Sequence, residues 1–279
     1  MTALIIAADD FGLAEEVNAA VEEAHRNGVL SAASLMVAAP AAASAVALAK
    51  RLPGLRVGLH LALVDAAPAS KPRDIPDLVD RNGRLRRDMV RLAFDIAVSG
   101  SVCRQLRREI AAQFDAFHRT GLALDHVNAH KHFHVHPLIA REVLAVGRTH
   151  GMTALRVPSE PADIVARVDH KRRAVSERVM APWTSNLRGW ARRSGFTTPD
   201  AVFGLRWTGA VTAERLAALM PLLPEGLVEI YTHPATRDDF PGHAPGYHYA
   251  GELNALTDPA VIEAVNRSGR QLGGYADVA

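Results

Sequence analysis

Leu4-Ile5-Ile6-Ala7-Ala8-Asp9-Asp10-Phe11-Gly12 begins as a continuous apolar run and breaks off on two adjacent carboxylates. Apolar residues without alternation over so short a span read as a strand buried on both faces, the habit of strands in parallel sheets. Glu15 and Glu16 follow where they favour the dipole of a helix N-terminus. Val17, Val21 and Ala24 supply that helix's apolar stripe, and Gly28 stands as its C′ stop.

Outward from this unit the same alternation recurs. Further strands are expected at 33–37, at 56–59 ending on His60, and at 124–128, 154–157 and 227–232. Helices are expected at 41–50, 102–118, 138–150, 212–223 and 259–267, with Pro137 suited to the first position of the third and Gly151 closing it. Residues 66–87, rich in Pro, Asp and Arg, read as a long loop, and residues 159–200, rich in Arg and Trp, as an irregular insertion. Strands alternating with helices argue for a parallel sheet. Asp9, Asp10, His60, His130, Arg156 and His233 all fall at the C-terminal end of an expected strand, the edge where parallel α/β proteins build their sites. The fold class is therefore α/β, an irregular (β/α) barrel of TIM-like type: one domain over 1–279, with 159–200 inserted as a lid.

Bulk properties narrow the function classes. A chain of 279 residues that is 48% hydrophobic and 22% charged can bury a sizeable core. Its net charge of +2 is too small to imply a polyanionic partner, and nucleic acid is not expected. The single cysteine, Cys103, excludes an internal disulfide framework. The N-terminus lacks the basic flank of a signal peptide and no apolar stretch is long enough to span a bilayer, so a cytoplasmic protein is expected.

Five of the thirteen histidines, His126, His130, His132, His134 and His136, fall within eleven residues. A packed core has little use for so many imidazoles, which are the commonest transition-metal ligands. If the chain stayed extended they would share one face. It must turn before Pro137, so parity does not select a ligand. Neighbouring aspartates at a strand end point to different sides, which lets one bind metal while the other faces a substrate; a turn capping the next helix is the plainer alternative. His60, amid apolar residues, is by itself an ordinary core histidine and gains weight only from the edge it shares. His233 has a capping role as its alternative, and Arg156 either orients a carboxylate or is a surface arginine. One carboxylate with two histidines leaves coordination positions open, as a catalytic metal needs. The same set serves non-haem iron oxygenases. A non-catalytic metal-binding protein would use the histidine run with no need of Asp9.

Ala8-Asp9-Asp10-Phe11-Gly12, Gly58-Leu59-His60, His126-Val-Asn-Ala-His130-Lys-His-Phe-His134 and Glu229-Ile-Tyr-Thr-His233-Pro234 resemble, in order and spacing, the motifs of the YdjC-like carbohydrate deacetylases. More narrowly, the chain resembles the branch associated with hopanoid biosynthesis, which removes acetyl from an N-acetylglucosamine attached to a hopanoid polyol. The resemblance implies one divalent metal ion on Asp10, His60 and His130, with Asp9 as general base, His233 as general acid, and His132 and His134 lining the site. Two histidine ligands favour zinc, while the family is often described with magnesium. One departure stands out: Asn128-Ala129 replaces the Asp-Ser that often precedes the ligand histidine, which puts the hydrogen bonding around the metal in doubt.

The insertion carries Arg167, Lys171, Arg172, Arg173, Arg178, Arg188, Arg192 and Arg193 among Met180, Trp183, Leu187 and Trp190. It reads either as a helical face whose aromatics pack on the barrel, or as a lid over the lipid end of a substrate, with Trp183 toward that substrate and the basic residues on an anionic membrane surface. The expected partner is an N-acetylglucosamine-bearing lipid or oligosaccharide, met in the cytoplasm or peripherally at the inner membrane; an oligomer is compatible with the sequence.

Overall fold

The computed structural model describes residues 2–169 and 175–278, and the side chains of these except 175–181. Among the described residues seven strands form one sheet: β1 (Ala3–Phe11), β2 (Ala32–Leu35), β3 (Arg56–Leu61), β4 (Val127–Ala129), β5 (Ala201–Phe203), β6 (Leu227–Thr232) and β7 (Gln271–Leu272). Their order is β4-β3-β2-β1-β6-β5, every pairing parallel, with β7 joined to the first residues of β1. The apolar opening run thus becomes the central strand, buried along its whole length and continuing past Ala8 through Asp9 and Asp10 to Phe11.

The sheet curls until its edges meet. Residues 153–159 bridge β4 and β5 without forming a regular strand, although one was expected at 154–157. On one side Val127 N–H donates to Ala154 O at 3.0 Å and Arg156 N–H to Val127 O at 2.9 Å. On the other, Leu155 N–H reaches Thr197 O and Val202 N–H reaches Ser159 O, both at 2.9 Å. The result is an irregular α/β barrel. Strand alternation sorts its residues: Leu4, Ile6 and Ala8 join the large core under the helices, while Ile5 and Ala7 meet Ala32, Ala154 and Tyr275 inside the barrel. The interior is narrow enough that a Cβ on Gly58 would sit 2.5 Å from the His126 ring, so only glycine fits there.

Other expectations are refined. Helix Met89–Val98 has no counterpart in the sequence reading, because its Val90, Phe94 and Val98 lie on one exposed face and Leu92 and Ile96 on the buried one, which blurs the amphipathic period. Gly28 does end the first helix, Glu15–Asn27, but at φ −135°, so left-handed backbone is not its reason. A Cβ there would lie 2.2 Å from Leu256 O. The segment 159–200 contains helices Ala162–Val168 and Val175–Arg193 and is not irregular. Lys171, Arg172 and Arg173 lie outside the described residues, as do the side chains of Arg178 and Met180. Among the described residues, no helix is long and apolar enough to cross a membrane.

Candidate active site

At its C-terminal end β1 slips register against β2 between Ala8 and Phe11, and Asp10 takes φ +60°, a left-handed conformation that Asp tolerates better than most residues. The bulge brings Asp10 to the same side as Asp9. Both carboxylates, 2% and 5% exposed, line one cavity, which corrects the expectation that they diverge. Asp10 Oδ1 lies 3.2 Å from His60 Nε2 at the end of β3 and 3.0 Å from His130 Nδ1 just past β4. One donor atom from each of the three residues falls within 4.8 Å of the other two. Beyond His130 the chain turns at once, with Lys131 and His132 at φ 55° and 51°. That turn separates His130, the candidate ligand, from His132, His134 and His136.

Asn128 joins the two aspartates' surroundings. Its Nδ2 donates to Asp9 Oδ1 at 3.0 Å and to Ser34 Oγ at 2.9 Å, which leaves Oδ1 facing His60 Nδ1 at 2.7 Å. An amide oxygen can only accept, so His60 carries its proton on Nδ1 and turns Nε2 toward Asp10. The position that looked like a departure in the sequence is thus one that fixes a ligand's tautomer. Burial would lower the His60 pKa, but Asp9, Asp10 and Asn128 raise it above the usual value. Burial likewise raises Asp10, and His130 and His60 override it, holding that carboxyl well below the usual range. The three groups form a compact cluster, buried at Asp10 and His60 and partly exposed at His130, in which a cation would compete with protons for the imidazole nitrogens. A carboxylate and two imidazoles, one held by its far nitrogen, fit a three-ligand divalent metal site.

Asp9 is anchored from below. Arg156, 0% exposed, donates one N–H to Asp9 Oδ2 at 2.5 Å and another to Glu229 Oε1 at 2.7 Å, and Tyr275 Oη donates to Glu229 Oε2 at 2.6 Å. Burial alone would raise the Asp9 pKa; the Arg156 charge, then His60, reverse this and keep it ionised. Arg156 therefore bridges two carboxylates with one bond to each, in place of the bidentate contact or surface position expected. It sits behind Asp9 and does not line the cavity.

The cavity has a volume of ≈ 710 Å³. His233 lines the same cavity as the aspartates, its ring meeting Tyr231 and Tyr247 edge-on at 5.6 and 5.3 Å. Its backbone N–H donates to Glu252 at 2.5 Å, while its buried Nδ1 has no hydrogen-bond partner among the described residues. Burial pushes His233 below the usual histidine pKa despite the upward pull of Asp10 and Asp9.

Residues 3–267 match the family described as YdjC-like protein. The chain belongs to that family. A carbohydrate deacetylase of Brevibacillus brevis is 30% identical over 278 residues, 99% of each chain. A chitooligosaccharide deacetylase of Serratia marcescens is 31% identical over 277 residues, covering 99% of this chain and 98% of that one. A crystal structure from Enterococcus faecalis V583, of a protein provisionally assigned to cellobiose-phosphate cleavage, superposes with a TM-score of 0.77 at 25% identity, covering 100% of this chain and 99% of that one.

Within the YdjC-like chain the remaining histidines divide by depth. His132 lines the cavity, edge-on to Tyr231 at 5.1 Å, and burial holds its pKa well below the usual value. His134 does not line it, contrary to expectation: its Nε2 donates to Arg156 O at 2.7 Å, and burial keeps it neutral down to about 4. It ties the turn after β4 to the bridging segment. Trp183 is likewise turned away from the cavity. Its Nε1 donates to Val135 O at 2.6 Å and its ring packs on the main core, as does Trp190. No described residue of 159–200 lines the cavity. The sequence reading missed Tyr231, Tyr247 and Glu252. Tyr231 was within reach, since it shares strand parity with Glu229 and His233; Tyr247 comes from a loop with no periodic signal.

Proposed function

We propose that this YdjC-like protein is a metal-dependent carbohydrate deacetylase that hydrolyses the N-acetyl group of an N-acetylglucosamine unit to acetate and a free amine. One observation carries the reading: Asp10, His60 and His130 converge while a separate carboxylate, Asp9, faces the same cavity with a fixed arginine partner. A protein that only stores metal has no use for that arrangement, and the full-length deacetylase relatives support the same chemistry. The ligand set favours zinc over magnesium on donor softness.

A divalent ion on these three residues would acidify a bound water and polarise the acyl oxygen. Asp9 is the base: ionised, oriented by Arg156 and Asn128, it accepts the attacking water's proton at Oδ1 or Oδ2. His233 lines the same cavity and supplies a proton to the departing nitrogen, without which an amine is a poor leaving group. Burial lowers the pKa of the imidazole although Asp10 and Asp9 pull it upward, so the proton it delivers is one taken up from solvent before the C–N bond breaks. Its Nδ1, buried and unpartnered among the described residues, is satisfied by such a substrate. Tyr231 and Tyr247 hold the ring edge-on.

The finer substrate we propose is N-acetylglucosamine linked to a hopanoid polyol, on the strength of the motif resemblance. Acetate release from that glycolipid and from N,N′-diacetylchitobiose, measured side by side, tests both levels. Release from the glycolipid alone supports the lipid-linked substrate, and release from the disaccharide alone removes it while leaving the chemistry. Release from neither rejects the deacetylase.

A further inference from the structure

Among the described residues four large apolar side chains are strongly exposed, and three of them stand on one short helix. Val90, Phe94 and Val98 are 82, 58 and 64% exposed on Met89–Val98. Their spacing of four places them in a single outward row, while Leu92 and Ile96 on the opposite side are buried in the main core. A helix that already has its core contacts gains nothing for folding from a second apolar row in water.

The surroundings of that row are basic. Residues 71–108 carry ten Lys or Arg against five Asp, five net positive charges in a chain whose total is +2. Arg91 lies over the Phe94 ring with its guanidinium carbon 5.9 Å from the centroid, so charge and apolar surface share one face. Of the nearby acids, Asp95 pairs with both Arg86 at 2.9 Å and Arg91 at 3.1 Å and Asp88 caps the helix, while Asp65 holds Arg87 at 2.7 Å and Glu142 holds Arg107 at 2.5 Å. Arg84 and Arg87, immediately before the helix, belong to the lining of the catalytic cavity. The row therefore begins within a few residues of the cavity lining.

We propose that this helix docks the protein on an anionic lipid leaflet, with Val90, Phe94 and Val98 entering the headgroup boundary and the surrounding arginines meeting the lipid phosphates. Apolar insertion ringed by cations is the composition that binds such surfaces. A second copy of the chain fits the face less well. A two-fold contact would set the same arginines against themselves, and three side chains offer far less than the roughly 800 Å² per partner of a stable interface. Docking here would present the cavity mouth to a lipid-anchored substrate, a place first expected of the insertion at 159–200, whose Trp183 and Trp190 pack inward.

The test is co-sedimentation with phosphatidylglycerol/phosphatidylcholine vesicles and with pure phosphatidylcholine, which needs no substrate and no catalytic activity. The wild type is expected on the anionic vesicles, at least tenfold more weakly on the neutral ones, and less as salt rises. The V90Q/F94Q/V98Q variant alters only exposed positions with a good helix former. It is expected to bind the anionic vesicles at least tenfold more weakly with an unchanged melting temperature. Equal binding by the two proteins, or no binding by either, would overturn the proposal. So would a wild-type dimer in sedimentation equilibrium that the variant abolishes, which would identify a second copy as the occupant.

Discussion

Asn128 shows how much one side chain settles. Its amide ties His60, Asp9 and Ser34 together, so its removal frees the His60 ring to rotate and change tautomer. Asn128→Ala is expected to weaken metal binding about 10–100-fold, the usual cost of losing a ligand's outer partner. A competition titration with a zinc chelator reads this, and unchanged affinity would remove Asn128 from the metal's support. His233 makes the complementary case. His233→Ala should cut turnover by about 10²–10⁴, the range of a lost general acid, while the protein retains its full metal content. Metal loss in that variant would mean His233 is a ligand. Arg156 is different again, since it holds two buried carboxylates apart. Arg156→Met leaves both uncompensated and should cost about 3–5 kcal/mol in urea unfolding, as breaking buried ion pairs does.

At the scale of elements, the helix Tyr249–Thr257 reaches the site through Glu252, whose carboxylate accepts from the backbone N–H groups of His233 and Val211. Burial pushes Glu252 up to about 7, above its ordinary 4.5. The folded state thus keeps a proton that the unfolded chain has already lost. Its contribution is full below pH 4.5 and disappears as pH rises through 7. The loss amounts to about 3 kcal/mol at roughly 1.4 kcal/mol per pKa unit. Glu252→Gln removes that slope, so its melting temperature relative to wild type should be higher at pH 8 than at pH 5 by several degrees. A constant difference across that range would show that Glu252 does not titrate between the two states.

Elements were legible where one period ruled them. β1 opens on the apolar run 3–8, β3 and β6 are short and mostly apolar between polar residues, and Pro137 opens its helix as expected. The bulge at Asp10 and the placing of the turn foreseen before Pro137, at Lys131 and His132, were not legible, because positive φ in non-glycine residues is imposed by the packing around them. Those two irregularities bring Asp10 and His130 together, so the strand-end placement of the site could be read and its geometry could not. Bridge 153–159 escaped for a similar reason: it is held by scattered bonds to three different neighbours and not by a ladder.

For the whole molecule, the barrel turns a sequence order into a spatial one. Residues 9, 10, 60, 130 and 233 meet because parallel strands point their C-terminal ends the same way, and Arg156 reaches them from the segment that closes the ring. The central claim is that this meeting point is a metal-dependent acyl hydrolase. The most direct test strips the protein of metal, titrates zinc back, and follows acetate and free amine from an N-acetylglucosaminyl substrate by proton NMR. Asp10→Asn serves as control, since Asn also accepts left-handed backbone and should keep the fold. Acetate and amine are expected in equal amounts, rising to a plateau at one equivalent of metal, with none from Asp10→Asn. Acetate released equally by the stripped protein, or by Asp10→Asn, would contradict the assignment.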